Sequence, residues 1–547
     1  MNMRMDLLKF NLRPKTALLL AAVAMLIVST ARAADDELLD ILGNGAAPSS
    51  AKTKSQDGGE LRKVLKNPTA EQNIFMSFFD KGDYEKSLFQ WPSAFDGTSF
   101  AKTPSGRALN ALLLFRNGMK VVALENLLAI DKPEAIAPQI SKMWVEAAPV
   151  NDPTWSLAEV SKWNPKFSDI FGTAAEIRVR SRKTYGSDQV AALRELIKKT
   201  QVDTAERAWL SWQLVLALST GDDPATAAKA LAVLMKAPNN PVSQDLMTIT
   251  AARLLYQNGF LDASIKYYEK VPKSSDYWFD SQEETGWAYI RKGEPQNTIA
   301  ITKTLTVPEF TSQIGPEPMF LHSLAELKVC DYPAVVTTLN SFRDRFKTRA
   351  KDLMAINETS ENKEVEDFIN RSKKETMTLS KMGKSATHLP RFVTRDEVLA
   401  QAIQTQVALE REAKIAGDLY ARSLTGGTAQ VGFQGRLEEF RKAVDARALE
   451  ARSSTYGRVK TLANEEVNEI AQILQKLHIV EAEVLSQISV SGRVADATAN
   501  QKASVKEGTT GSKAKDRLTF PAEQETWFDE LANYKVDIKK GCQSAKR

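Results

Sequence analysis

The feature that most limits what this chain can become is a recurring interval. Gly293 stands 34 residues after Gly259, and each lies between two runs whose apolar residues return every three or four positions. The first sits in ARLLYQNGFLDASIKYYEKVP and the second in GWAYIRKGEPQNTIAITKTL. A glycine inside one helix costs about 1 kcal/mol relative to alanine, whereas a glycine that closes a helix in the left-handed conformation costs little. Turn-like positions continue the series at Gly82, Gly118, Asp152, Gly186 and Gly221 before it and at Cys330 after it, with spacings of 34 to 38 residues. Helical units of that length cannot bury their apolar faces alone and stack on their neighbours.

The period is that of tetratricopeptide repeats. Ala252 and Gly286 supply the small residue that lets paired helices approach, Leu255 and Tyr289 the bulky one, and Ile265, Tyr268 and Val271 recur on the second helix. The usual alanine of the second helix is replaced by Ser264 and Thr298, and the usual opening Trp by Thr248 and Gln282, so the repeats are degenerate. We expect a tetratricopeptide-like helical solenoid over residues 61–347. Residues 348–490 read as long helices: Thr348 to Met382, Val393 to Leu424, and Gly432 to Ile488, the last two reversing at Thr425-Gly426-Gly427. Ile470, Leu474, Leu477, Val484 and Ile488 keep three-and-four spacing, which predicts an antiparallel coiled-coil hairpin projecting at about 1.5 Å per residue. The alternative is that these helices fold back as caps on the solenoid. Residues 491–517 read as a linker, and 518–547 as a C-terminal helix returning to the solenoid, with Trp527, Leu531 and Tyr534 at helical spacing. The expected fold class is all-α.

At the other end, Arg4, Lys9, Arg13 and Lys15 precede an apolar run from Ala17 to Val28 and then Ala31-Arg32-Ala33. That is the pattern of a secretory signal peptide cut after Ala33, and its apolar run falls short of the ~20 residues needed to span a bilayer. Residues 1–33 carry four of the five net positive charges, leaving +1 on the rest. A chain so balanced offers no footprint for nucleic acid. Residues 34–60 then read as a short helix and a flexible linker. In ADDELLDILGNG, Leu38, Leu39, Ile41 and Leu42 form an apolar cluster behind Asp35, Asp36 and Glu37, a candidate docking helix or a frayed terminus.

No catalytic pattern emerges. His322, His388 and His478 stand apart without metal-ligand spacing, Gly508 to Lys513 has the wrong spacing for a phosphate loop, and Ser49 with Lys52 falls in the flexible tract. Glu283 and Glu284 read as solvating a helix face. No cofactor, metal or small-molecule substrate is expected, and the chain is read as not an enzyme. Concave solenoid faces take up peptides, helices or domains. Tyr256, Trp278 and Trp287 are the candidate partner-binding anchors, with core packing as the competing role of each. The two cysteines, Cys330 in a turn slot and Cys542 beyond the terminal helix, are expected to pair after export, unpaired thiols or an intermolecular link being the alternatives.

YYEKVPKSSDYWFDSQEETGWAYIRKGE, PEPMFLHSLAELKVCDYPAVV and FPAEQETWFDELANYKVDIKKGC resemble the periplasmic tetratricopeptide proteins of bacterial gliding-motility envelope machinery. The resemblance covers residues 247–345 and 519–542, and Lys535 replaces a second aromatic of the terminal motif. It implies a periplasmic scaffold or adaptor for other envelope proteins. A non-catalytic partner of peptidoglycan-processing enzymes is the alternative, and an unrecognised hydrolase a third.

Overall fold

The computed structural model describes residues 57–65, 67–158, 163–180, 189–221, 223–359, 362–425, 431–490, 506–509 and 534–537. The signal segment and Leu38, Leu39, Ile41 and Leu42 lie outside them, as do Gly186, the linker's remainder and Cys542. The described elements are helices, apart from one two-stranded antiparallel ribbon. Among the described residues no helix is long and apolar enough to cross a membrane. By their contacts the described residues fall into two units, Tyr185–Asn258 and the remainder.

In the larger unit the chain begins as short helices that pack on their sequence neighbours. Ala70–Asp80 pairs with Tyr84–Phe95, and Pro104–Arg116 with Lys120–Leu128. Their starts are written in the sequence: Thr69 forms a reciprocal capping box with Gln72, and Asp83 and Thr103 cap the next helices. Phe75, Phe79, Trp91 and Phe95 fill the first core with edge-on and stacked ring contacts. Later come Leu261–Tyr268, Trp278–Lys292, Pro295–Leu305, Glu317–Lys328 and Tyr332–Glu358, each packed on the one before. The smaller unit holds Val190–Lys199, Ala205–Thr220, Pro224–Leu234 and Gln244–Gln257, packed in the same sequential way.

The turn positions divide. Gly82, Gly118, Gly259, Gly293 and Cys330 all have positive φ, between 61° and 90°, as a left-handed helix end requires. Asp152 and Gly221 do not: Asp152 caps a short 3-10 turn at φ −62°, and Gly221 is extended at φ −79°. Both are followed by proline-led helices, at Pro153 and Pro224, where the proline ring itself sets the helical entry.

One glycine outside that series is fixed by contact. A Cβ on Gly106 would lie 2.0 Å from the backbone oxygen of Phe100 and 3.0 Å from Ala101 Cα. The first turn of Pro104–Arg116 is therefore pressed onto the Ser99–Lys102 turn. Gly106→Ala should force them apart and lower stability by about 1–3 kcal/mol in urea unfolding. A neutral result would mean that the two turns do not touch.

Three expectations are corrected here. There is no break at Thr348, because Phe342, Phe346, Leu353 and Ile356 carry one buried stripe through Tyr332–Glu358. The antiparallel pair Glu397–Thr425 and Val431–Val490 is present, but it does not project. Its return helix packs on Lys120–Leu128, and its long helix on Tyr84–Phe95, Glu317–Lys328 and Tyr332–Glu358. Leu419, Leu437 and Val444 join the first core, while Val459, Ile473, Leu477 and Val484 join the last, so the pair straps the beginning of the unit to its end. Finally, Tyr534–Asp537 is a strand, paired with Lys506–Thr509 and lying against Pro295–Leu305. In YKVD a β-favouring residue alternates with a polar one, a period of two that overrides the helical spacing of Trp527, Leu531 and Tyr534. The rest of the expected terminal helix lies outside the described residues.

Candidate interaction surface

The helices Trp278–Lys292 and Glu317–Lys328 pack on one another and share one face. On that face lie Asp280, Glu283 and Trp287 from the first and Glu317 and Phe320 from the second. Trp287 is half-buried, its ring 6.2 Å from that of Phe320, and Lys476 of the long helix sits 5.5 Å over Phe320. Trp278, on the same helix, is only 4% exposed and packs against Phe279, so it serves the core and not a docking surface. Tyr256 is half-buried on Gln244–Gln257, in the smaller unit. Leu254 and not Leu255 is the buried residue of that turn.

Beside this face runs a segment of the same chain. Leu389 and Val393 bury their side chains in the last core, and between and after them Arg391 and Arg395 stack on Phe392, at 4.3 and 5.1 Å from the ring. Arg395 forms an ion pair with Asp280 and donates to the backbone oxygen of Asp276. Arg391 donates to both oxygens of Glu469 on the long helix, at 2.8 and 2.6 Å. Gly315 is the reason it fits: a Cβ there would lie 1.8 Å from the Arg391 guanidinium.

Behind the segment, Arg349 and Glu466 face each other at 4% and 3% exposure. Arg349 donates to Glu466 through Nε and Nη2, at 2.8 and 3.1 Å, and further Nη1 and Nη2 hydrogens go to the carbonyls of Thr387 and Leu389 respectively. Glu466 also accepts from the Arg391 amide at 3.0 Å. The pair is thus fully enclosed and geometrically matched, the condition under which a buried ion pair is tolerated. Burial, with Glu317, Asp280 and Glu284 nearby, pushes the Glu283 carboxyl well above its ordinary range, against the pull of Arg391. Burial likewise raises Glu469 and Asp276. The arrangement binds and orders the chain's own segment; it holds no open cleft in which a carboxylate pair faces solvent.

His322 stands in a chain of groups with the connectivity of a nucleophile, base and acid. Its Nδ1 lies 2.7 Å from Thr302 Oγ1 and its Nε2 3.2 Å from Glu326 Oε1, while Glu326 accepts from Thr338 at 2.9 Å. Thr302 is fully buried, and its hydroxyl donates to the Thr298 carbonyl at 2.7 Å. A substrate cannot reach it, so the chain ties three successive helices together. Among the described residues no group of three or more His, Cys, Asp or Glu is placed to hold a metal ion.

Cys330 is half-buried at φ 61°, a conformation a non-glycine residue adopts only under local constraint. No free thiol is found among the described residues. No family model, curated protein or solved structure matches this chain.

Sequence reasoning did not single out Arg349, Glu412 or Glu466. Their signal was a polar residue in an apolar register: Glu412 in the series Leu409, Glu412, Ala416, Leu419, and Glu466 between Leu462 and Ile470.

Proposed function

We propose that the protein is a periplasmic scaffold, a tetratricopeptide-like solenoid that holds other envelope proteins in a motility or envelope-assembly complex without performing chemistry itself. The observation that supports this reading is the recurrence of helix, left-handed turn and helix at Gly82, Gly118, Gly259, Gly293 and Cys330. Such arrays expose rows of side chains suited to peptides and helices. Since Arg391 and Arg395 already occupy the neighbourhood of Asp280 and Glu283, we place a partner surface of the larger unit on the exposed part of Trp287, and a separate one of the smaller unit on the helix of Tyr256. Mild crosslinking of intact envelopes followed by purification tests it. Subunits of one envelope machine should come with the protein; recovery with peptidoglycan enzymes or sacculi would favour the cell-wall alternative.

The same reading includes a bridge between Cys330 and Cys542. Tyr534–Asp537 lies against Pro295–Leu305, which brings the chain back to the later repeats five residues before Cys542. Closing so long a loop restrains the unfolded chain, with about 2–4 kcal/mol of stabilisation typical of measured bridges. Mass spectrometry of unreduced, alkylated periplasmic protein should find no alkylated cysteine on the monomer. Two alkylated cysteines would refute the bridge.

A further inference from the structure

The helix Lys120–Leu128 opens at Met119, which has no side chain able to cap it. Its first amides are met instead from far along the chain: Val121 donates to Glu412 Oε1 at 2.7 Å and Val122 to Oε2 at 3.1 Å. Glu412 projects from the return helix Glu397–Thr425 and is 3% exposed. The turn before the capped helix docks closely on the same return helix, since a Cβ on Gly118 would lie 3.2 Å from Ile415 Cδ1. Around this joint Val121 packs with Leu409 and Ala451. One buried carboxyl therefore sits at the contact by which the hairpin holds the N-terminal helices.

We propose that Glu412 is a proton-operated latch: the joint between hairpin and N-terminal helices is closed with its carboxyl protonated, and release of that proton to solvent accompanies opening. The charged groups around the joint do not neutralise an ionised Glu412. Glu125, one turn along the capped helix, is acidic and already holds Arg447 of the long helix at 2.7 Å, and Arg447 is shared with Glu450. Lys120 turns away to Asp152, 3.6 Å distant. The amides of Val121 and Val122 favour the anion, but burial outweighs them, and the carboxyl is pushed up to about 7.

The sign follows from proton counting. A carboxyl raised in the closed state contributes fully below its ordinary value of 4.5, and that contribution is lost as pH rises to about 7. Opening should then become roughly thirtyfold more favourable between about pH 5.5 and 8.5, levelling off at the top of that window. Hydrogen–deuterium exchange of the full mature chain, corrected for intrinsic rates, reads this in peptides covering residues 118–128. Their protection should fall by that factor, while Ala205–Thr220, in the smaller unit, stays level. In Glu412→Gln the profile should be flat. A flat wild-type profile overturns the proposal, whether or not the variant folds. So does a Glu412→Gln profile that follows the wild type.

Discussion

Arg349→Ala should destabilise the protein by about 3–5 kcal/mol, because it leaves Glu466 charged, enclosed and without its partner. The effect is large for a second reason. Arg349 also holds the carbonyls of Thr387 and Leu389, which enter the segment wedged between the later repeats and the long helix. Losing one guanidinium therefore frees the buried Glu466 carboxylate and the buried Leu389 carbonyl, together with the Thr387 carbonyl nearer the surface. The double variant Arg349→Met with Glu466→Leu should recover the part of the loss that comes from the unpaired carboxylate, while the carbonyls of Thr387 and Leu389 and the Arg391 amide stay without these partners. Urea unfolding of the two variants checks this. A single-variant loss below about 1 kcal/mol would place the pair in solvent contact, contrary to its burial.

Stability should also fall between about pH 5 and pH 8. Glu412 is raised by burial to about 7, Glu283 well above its ordinary range by burial and Glu317, and Glu469 and Asp276 upward by burial. Each keeps a proton in the folded chain that the unfolded chain releases, so unfolding is favoured as pH rises. From 4.5 to about 7, Glu412 alone corresponds to roughly 3 kcal/mol. Asp83, Asp262, Glu375 and Glu438 are shifted the other way by hydrogen bonds to lysines, but their contribution is lost only as pH falls below the usual carboxylate range. They do not offset the trend within the window. Urea midpoints at pH 5, 6, 7 and 8 should decline in order. A midpoint that rises with pH would contradict the proton count.

How legible was this molecule from its residues? Helical periodicity and turn chemistry are local, and they located Gly259, Gly293, Cys330 and both hairpin helices to within a few residues. What the hairpin touches is not local. Gln406, Glu412 and Ser423 lie in the buried stripe of the return helix and read, in isolation, as solvated positions. Only the partners that satisfy them, such as the amides of Val121 and Val122, explain polar groups at those places. The candidate surface divided in the same way. Aromatic content singled out Trp278 and Trp287 equally, yet one helical register sends Trp278 inward and leaves Trp287 half open. In the ribbon, four residues of alternating character in YKVD were too short a run to outweigh a helical pattern read over a longer window.

In the proposed function, the chain holds other envelope proteins on its repeats. A photocrosslinking residue placed in living cells at Tyr256 and Trp287, with Trp278 as a buried control, tests it most directly. Each of the first two positions should capture an envelope protein, identified by mass spectrometry, and the control should capture none. Capture of no other protein at Tyr256 and Trp287, with the protein folded and exported, would contradict it.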